Sequence, residues 1–236
     1  MLQIRKSKER GYAEHGWLKS YHSFSFSEYY DPKFMGFGPL RVINEDWVQP
    51  QTGFGTHGHR DMEIITYMLD GELSHRDSLG GGSAIKPGQI QRMSAGTGIR
   101  HSEMNAHKTD VAHLLQIWIE PAKTGVAPGY KDHDIDLATI TGRLGLIAVG
   151  DEAQAEQLKI AFIHQDAKVY AGRLKAQTET LAISPVRKGY LHLARGHAVV
   201  NGVALETGDA LMIENESALT IEVADQAEML VFDLPA

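Results

Sequence analysis

Nowhere in this chain does an apolar or alternating run travel far before a glycine, a proline or an Asx turn cuts it off. Such punctuation points to short strands as the building unit. Asp70-Gly71 and Asn201-Gly202 read as hairpin turns, because a tight two-residue loop needs positive φ at its centre. Gly80-Gly81-Gly82 and Lys86-Pro87-Gly88 mark further loops. Between them, β-branched and aromatic content predicts strands over 18–25, 40–43, 63–69, 90–94 and 113–119. A second set is expected over 144–149, 158–164, 168–173, 180–184, 190–194, 198–200, 210–213, 218–222 and 229–233. Residues 151–157 (DEAQAEQ) have helix-forming composition, but a helix that short needs tertiary support.

A stretch rich in Gly, Pro and charge at 123–136 reads as a linker, dividing the 236 residues into an N-terminal domain at 1–125 and a C-terminal domain at 134–236. Each half is the size of an antiparallel β-barrel or sandwich. The expected fold is therefore all-β. No apolar run is long enough to cross a bilayer, and the first ten residues (MLQIRKSKER) lack the apolar core of a secretory signal, so a cytoplasmic location is expected. The formal charge of −7, with no block of lysine and arginine, argues against direct binding to nucleic acid. The chain has no cysteine, which excludes disulfides, thiolate metal sites and cysteine nucleophiles. Any metal must be held by imidazole and carboxylate, which suits iron, nickel, copper, manganese or zinc.

Histidine and carboxylate do occur in a suggestive pattern. His57-Gly58-His59 stands before a strand-like run, and His101-Ser102-Glu103 follows the turn Gly96-Thr97-Gly98. In an extended backbone, residues i and i+2 face the same side, so each pair presents two donors together. Two such pairs on neighbouring strands can converge His57, His59, His101 and Glu103 on one divalent ion. On an octahedral metal, four protein ligands leave two adjacent positions open for water, substrate or dioxygen.

The same residues resemble the cupin superfamily: His57-x-His59-x-x-x-Glu63 is similar to its first motif and Gly98-x-x-His101-x-x-x-Asn105 to the end of its second. Within that superfamily the chain resembles the pirin family at His15-Gly16-Trp17-Leu18, Tyr21-His22-Ser23-Phe24-Ser25-Phe26, Phe34-Met35-Gly36-Phe37, Leu40-Arg41-Val42-Ile43-Asn44 and the run 94–103 (SAGTGIRHSE). The resemblance is dense from about residue 5 to 121 and looser to the end. It implies a bicupin of two stacked antiparallel, jelly-roll-like β-barrels, with one mononuclear metal in the N-terminal barrel; in the C-terminal half His192 and His197 have opposite strand parity and no H-x-H stands near them, so that barrel reads as metal-free. The pirin ligand positions fall on His57, His59, His101 and Glu103. Glu63 is the rival ligand, since in many cupins the first-motif glutamate binds metal; the pirin pattern assigns that role to Glu103.

The resemblance further implies quercetin 2,3-dioxygenase activity, in which O2 cleaves the flavonol C ring and carbon monoxide is released. Iron is the expected ion, with nickel, copper, manganese, zinc and cobalt as alternatives. Glu103 is placed to accept the substrate proton, and a flat aromatic substrate and O2 are the expected partners. The alternative is a metal-bearing, redox-sensing regulatory module without turnover, as eukaryotic pirins are described. His113 and His22 read as core or interface residues. His15, His75, His107, His133 and His164 lack paired spacing and read as solvated or structural. Phe24, Phe26, Phe34 and Phe37 read as core packing before cavity lining, and Arg41 and Arg60 as surface charge.

Overall fold

The computed structural model of the chain describes residues 1–236. It divides into two compact units, Gly11–Asp134 with Ile163–Gln165, and Met1–Arg10 with Ile135–Phe162 and Asp166–Ala236. The chain opens with β1 (Leu2–Arg5), which belongs to the latter. The former holds β2 (Gly11–Glu14), β3 (Leu18–His22), β4 (Leu40–Val48), β5 (Thr52–His59), β6 (Glu63–Asp70), β7 (Leu73–Asp77), β8 (Gly82–Ile85), β9 (Gln89–Ser94), β10 (Ile99–Asn105), β11 (Ala112–Ile119) and β12 (Gly129–Asp134). These form a seven-stranded sheet, ordered β12-β9-β6-β11-β4-β3-β2, and a four-stranded sheet, ordered β5-β10-β7-β8. Every pairing in both is antiparallel.

The interior of this unit is layered by strand register. Leu18, Val48 and Ala112 lie side by side on β3, β4 and β11 and pack with Met68, Leu73, Ile85 and Leu114 into one apolar cluster. Ile64, Met93, Ala95 and Ile99 form a second, with Trp118 packed against it. Between the two runs a transverse polar row: His22 pairs with Asn44, Asn44 with Gln116, Gln116 with Thr66, and Thr66 with Gln91. All but Gln116 are at most 4 % exposed. Polar groups at that depth are costly unless they are hydrogen-bonded or serve a ligand.

The second unit holds β1, α1 (Leu137–Ile140), β13 (Leu144–Val149), α2 (Glu152–Leu158), β14 (Ala161–Phe162), β15 (Lys168–Ala182), β16 (Lys188–Val200), β17 (Val203–Glu206), β18 (Ala210–Glu214) and β19 (Ala218–Leu234). Its sheet order is β1-β18-β16-β19-β15-β13-β14, with β17 on β16. An aliphatic core that includes Leu174, Leu191, Val200, Leu211, Leu219 and Val231 fills it. No helix in the chain is long and apolar enough to cross a membrane.

Several expectations are corrected. Leu2–Arg5 pair with 210–213 (Leu2 opposite Ile213), and Met1–Arg10 group with that unit and not with the N-terminal domain. Gly129–Asp134, read as linker, is a strand on β9. The short runs at 168–173 and 180–184 are one strand, β15, whose pairing with β19 shifts register between Lys175 and Gln177, where Ala176 has φ 46°. β16 and β19 each likewise merge two expected strands. The expected strand 158–164 instead contains the end of α2 and the two-residue β14. Helix α2 forms because the Asp151 side chain accepts from Gln154 N at 2.9 Å and Ala155 is buried. Asn201-Gly202 does close the hairpin between β16 and β17, with φ of 47° and 80°. Asp70-Gly71 does not; it carries the chain from one sheet into the other.

Candidate metal centre

Strand β10 is the axis of the site. On one side it pairs with β5, setting His101 opposite His57 and Ile99 opposite His59; on the other it pairs with β7, setting His101 opposite Asp77 and Glu103 opposite His75. Between His101 and Glu103 the β5 register shifts, so that Glu103 stands opposite Phe54. β5 can lie this close because it is glycine-rich: a Cβ on Gly53 would meet the Glu103 carbonyl oxygen at 2.1 Å. The result is a tight group of rings, with centroids 4.8 Å apart for His57–His59, 4.4 Å for His57–His101 and 4.9 Å for His59–His101. The candidate ligand atoms of His57, His59 and His101 all lie within 4.8 Å of one another, and so do those of His75, His101 and Glu103. The expected four therefore fall in two overlapping clusters that share His101. His75 joins the second.

A chain of hydrogen bonds sets which nitrogen each imidazole presents. Asp77 Oδ1 accepts from Leu79 N at 2.7 Å and Gly81 N at 3.0 Å. Burial alone would push the Asp77 carboxyl up, but these N–H groups and the His75 ring outweigh it and hold the group below its ordinary value. The ionised carboxylate only accepts, so His75 Nε2, 3.2 Å from Asp77 Oδ2, carries the proton. His75 Nδ1 must then accept, its single lone pair shared between Gln91 Nε2 at 2.8 Å and His101 Nδ1 at 3.3 Å. That leaves His101 Nε2 with a bare lone pair. His57 reaches the same state by donating from Nδ1 to the Gly55 carbonyl at 2.8 Å. Burial and then the neighbouring rings push His59 down to about 4 and His101 down to about 3, so both are neutral donors at physiological pH. Tyr130 stacks on His75 at 4.0 Å and an interplanar angle of 19°.

Glu103 reaches across to the polar row of the opposing sheet. Its Oε2 accepts from Gln116 Nε2 at 3.2 Å, and Gln116 Oε1 accepts from Thr66 Oγ1 at 2.7 Å. Burial, then the charge of Asp46, pushes the Glu103 carboxyl up to about 7. Beside it opens a cavity of about 540 Å³, to which His57, His59 and Glu103 contribute. Trp17, Phe26, Tyr29, Phe54 and Trp118 give it aromatic walls. Ser20, His22, Asn44, Asp46 and Gln116 give it a polar one.

Two atoms test whether this arrangement fits a metal. His101 Nε2 and Glu103 Oε1 are buried and have no hydrogen-bond partner. A buried polar atom left that way costs roughly 1–3 kcal/mol. Both are cation ligands by chemistry, and three neutral imidazoles with one carboxylate suit a transition metal. The residues fit.

Other candidates fall elsewhere. Glu63 is fully buried but stands outside both clusters; its oxygens accept from Ser94 Oγ at 2.8 Å and pair with His164 Nδ1 at 3.1 Å. The parity that seemed to align it with His57 is broken at Asp61, where φ is 46°. Of the two readings given for His164 and His75, the structural one holds, since both are partnered, and His22, expected as a core or interface residue, is buried and also lines the cavity. His113 bonds Glu45 at 3.0 Å and stacks on Trp47. Of the four phenylalanines, Phe26 lines the cavity, while Phe24 and Phe34 are core. Arg41 is held by Glu120, and Arg60 donates to the Thr97 carbonyl. Sequence reasoning missed Asn44 and Asp46, which share a face of β4 as i and i+2; two polar residues inside an otherwise apolar strand were the available signal.

A sheet-rich unit of cupin type with a histidine–carboxylate cluster, joined to a second sheet-rich unit, defines the bicupin class. Comparison with known proteins narrows this. The Pirin family model matches residues 3–119, and a model described as Quercetinase C-terminal cupin domain matches residues 148–234. The chain is 44% identical over 236 residues to Quercetin 2,3-dioxygenase of Escherichia coli (strain K12), covering 100% of this chain and 99% of that protein. It is 42% identical over 234 residues to a Pirin-like protein of Caulobacter vibrioides, covering 99% of each. Among solved structures, the bacterial pirin YhhW in complex with nickel(II) from Escherichia coli superposes with a TM-score of 0.93 at 43% identity, covering 100% of this chain and 99% of that one. The chain belongs to the pirin family.

Proposed function

We propose that this protein is a metal-dependent dioxygenase that cleaves a flavonol such as quercetin with O2 and releases carbon monoxide. The observation that carries the reading is the pair of unpartnered buried atoms, His101 Nε2 and Glu103 Oε1, set beside a cavity with aromatic walls. His57, His59, His101 and Glu103 are the proposed ligands of one divalent ion, and iron is the proposed resident. The relatives named quercetin 2,3-dioxygenase support the substrate, and the nickel(II) complex of a bacterial pirin supports a transition metal.

A bound divalent transition metal supplies Lewis acidity toward an enolic hydroxyl and redox chemistry toward O2. The chain's own residues do the rest. The hydrogen bonds at Nδ1 of His57 and His101 turn the Nε2 atom of each ring toward the site, so little rearrangement of these two rings is needed on loading. Glu103, held at Oε2 by Gln116, would meet the ion through Oε1 and, on loosening from it, would take the hydroxyl proton of the substrate at that oxygen. Trp17, Phe26 and Trp118 offer faces and edges to a flat ring system and exclude bulk water from it.

The test is elemental analysis of tag-free protein, followed by turnover after loading with each candidate metal. The expected result is metal-dependent loss of quercetin absorbance with matching carbon monoxide. Fully metallated protein that yields neither refutes the reading.

A further inference from the structure

Asp46 has no evident structural task. Its carboxylate is 3 % exposed and lines the cavity, and the hydroxyl of Ser20 is its one hydrogen-bond partner. No cation pairs with it, although a buried carboxylate ordinarily needs one or several donors. Its neighbours in register are Ser20 on β3 and Leu114 on β11, and neither demands a charge. Two residues along the same face, Asn44 Oδ1 is buried without a partner. This wall of the cavity thus has more hydrogen-bond acceptors than the protein fills. A ligand that brings hydrogen-bond donors would fill them.

We propose that Asp46 is a specificity-determining residue of the site, accepting a hydrogen bond from a hydroxyl of the substrate other than the one beside the metal ligands. The inference rests on the flavonol reading and sharpens it, since the favoured substrate is a flat aromatic bearing further hydroxyls. The aromatic residues read its ring faces, which any flavonol shares; Asp46 reads the substituents. A site built to bind a hydroxyl rejects the analogue lacking it, because the buried acceptor is then left bare. A hydrogen bond to a charged group in such a place amounts to roughly tenfold to a hundredfold in affinity.

The experiment measures anaerobic binding to the metal-loaded full chain by quenching of tryptophan emission, since Trp17 and Trp118 both line the cavity. The probes are quercetin and 3-hydroxyflavone, which shares the ring system and lacks the other hydroxyls. Wild type is expected to prefer quercetin by about tenfold or more, and Asp46→Ala to lose most of that preference while binding of 3-hydroxyflavone stays within a few-fold. Asp46→Asn keeps the shape and removes the charge, and serves if the alanine variant melts early; its preference is expected between the two. A preference unchanged in both folded variants overturns the role of Asp46 and leaves the flavonol reading standing. Wild type that binds neither compound overturns both.

Discussion

Replacing Asp77 with asparagine tests the proton order on which the metal centre depends. In the wild type, Asp77 Oδ1 is committed to the N–H groups of Leu79 and Gly81, and Oδ2 accepts from His75 Nε2 at 3.2 Å. In Asp77→Asn the loop N–H groups retain the carbonyl oxygen, so the NH2 group must face His75. An NH2 group cannot accept there, so the His75 proton has to move to Nδ1. Gln91 then has to turn its oxygen toward that nitrogen, and His101 Nδ1 changes from donor to acceptor. The His101 proton ends on Nε2, the atom that should meet the ion. Loading must either reverse the sequence or break one or two hydrogen bonds at about 1–1.5 kcal/mol each, a loss of roughly tenfold to a hundredfold in metal affinity. Competition with a chromophoric chelator for Ni2+ measures the loss, and ¹⁵N shifts of the imidazole rings report the proton positions. An Asp77→Asn protein that melts like wild type and binds Ni2+ within a factor of two of it refutes the argument.

Other expectations follow from the same geometry. Glu103→Gln should purify with little metal, whereas Glu63→Gln should keep its metal and lose roughly 1–3 kcal/mol of stability, because Glu63 bonds Ser94 and His164; the reverse pattern in elemental analysis and melting would reassign the ligand. In metal-free protein, burial, opposed by Ser20 and aided by the charge of Glu45, pushes Asp46 from 3.8 up to about 7. Between those values the folded state holds a proton the unfolded chain has released, so this group's contribution falls as pH rises. Asp46→Asn should therefore raise the melting temperature of metal-free protein over wild type at pH 8 and much less at pH 4, and a difference independent of pH would contradict that environment. Metal in hundredfold excess over its dissociation constant should stabilise the protein by about 2.7 kcal/mol, read as a higher melting temperature that a chelator reverses.

The strand rhythm and the pairing of His57 with His59 and of His101 with Glu103, the proposed ligands, were legible because both depend on local spacing. Glycine, proline and Asx turns cut the chain where φ must turn positive, and i, i+2 parity on β10 brings His101 and Glu103 together despite the register shift on β5. What stayed hidden depends on register between distant segments. His75 has no paired neighbour in sequence, and its place beside His101 comes from the β7–β10 pairing. The attachment of residues 2–5 to 210–213 spans almost the whole chain. The polar row was hidden for the same reason: Gln91, Thr66, Gln116, Asn44 and His22 are unremarkable singly and meet only when five strands align. β5 was hard to read as a strand because Gly53, Gly55 and Gly58 lower its propensity while allowing its close approach to β10.

The four proposed ligands and their orienting partners His75 and Asp77 all stand on the four-stranded sheet, while most of the cavity wall, Asn44 and Asp46 included, comes from the seven-stranded sheet and the loops beside it. Mutation of wall residues that bond none of the proposed ligands, unlike Gln116, can therefore revise what enters the cavity while the residues that would hold the ion stay in place. A lineage built on this plan is free to wander among substrates while inheriting one inorganic centre intact.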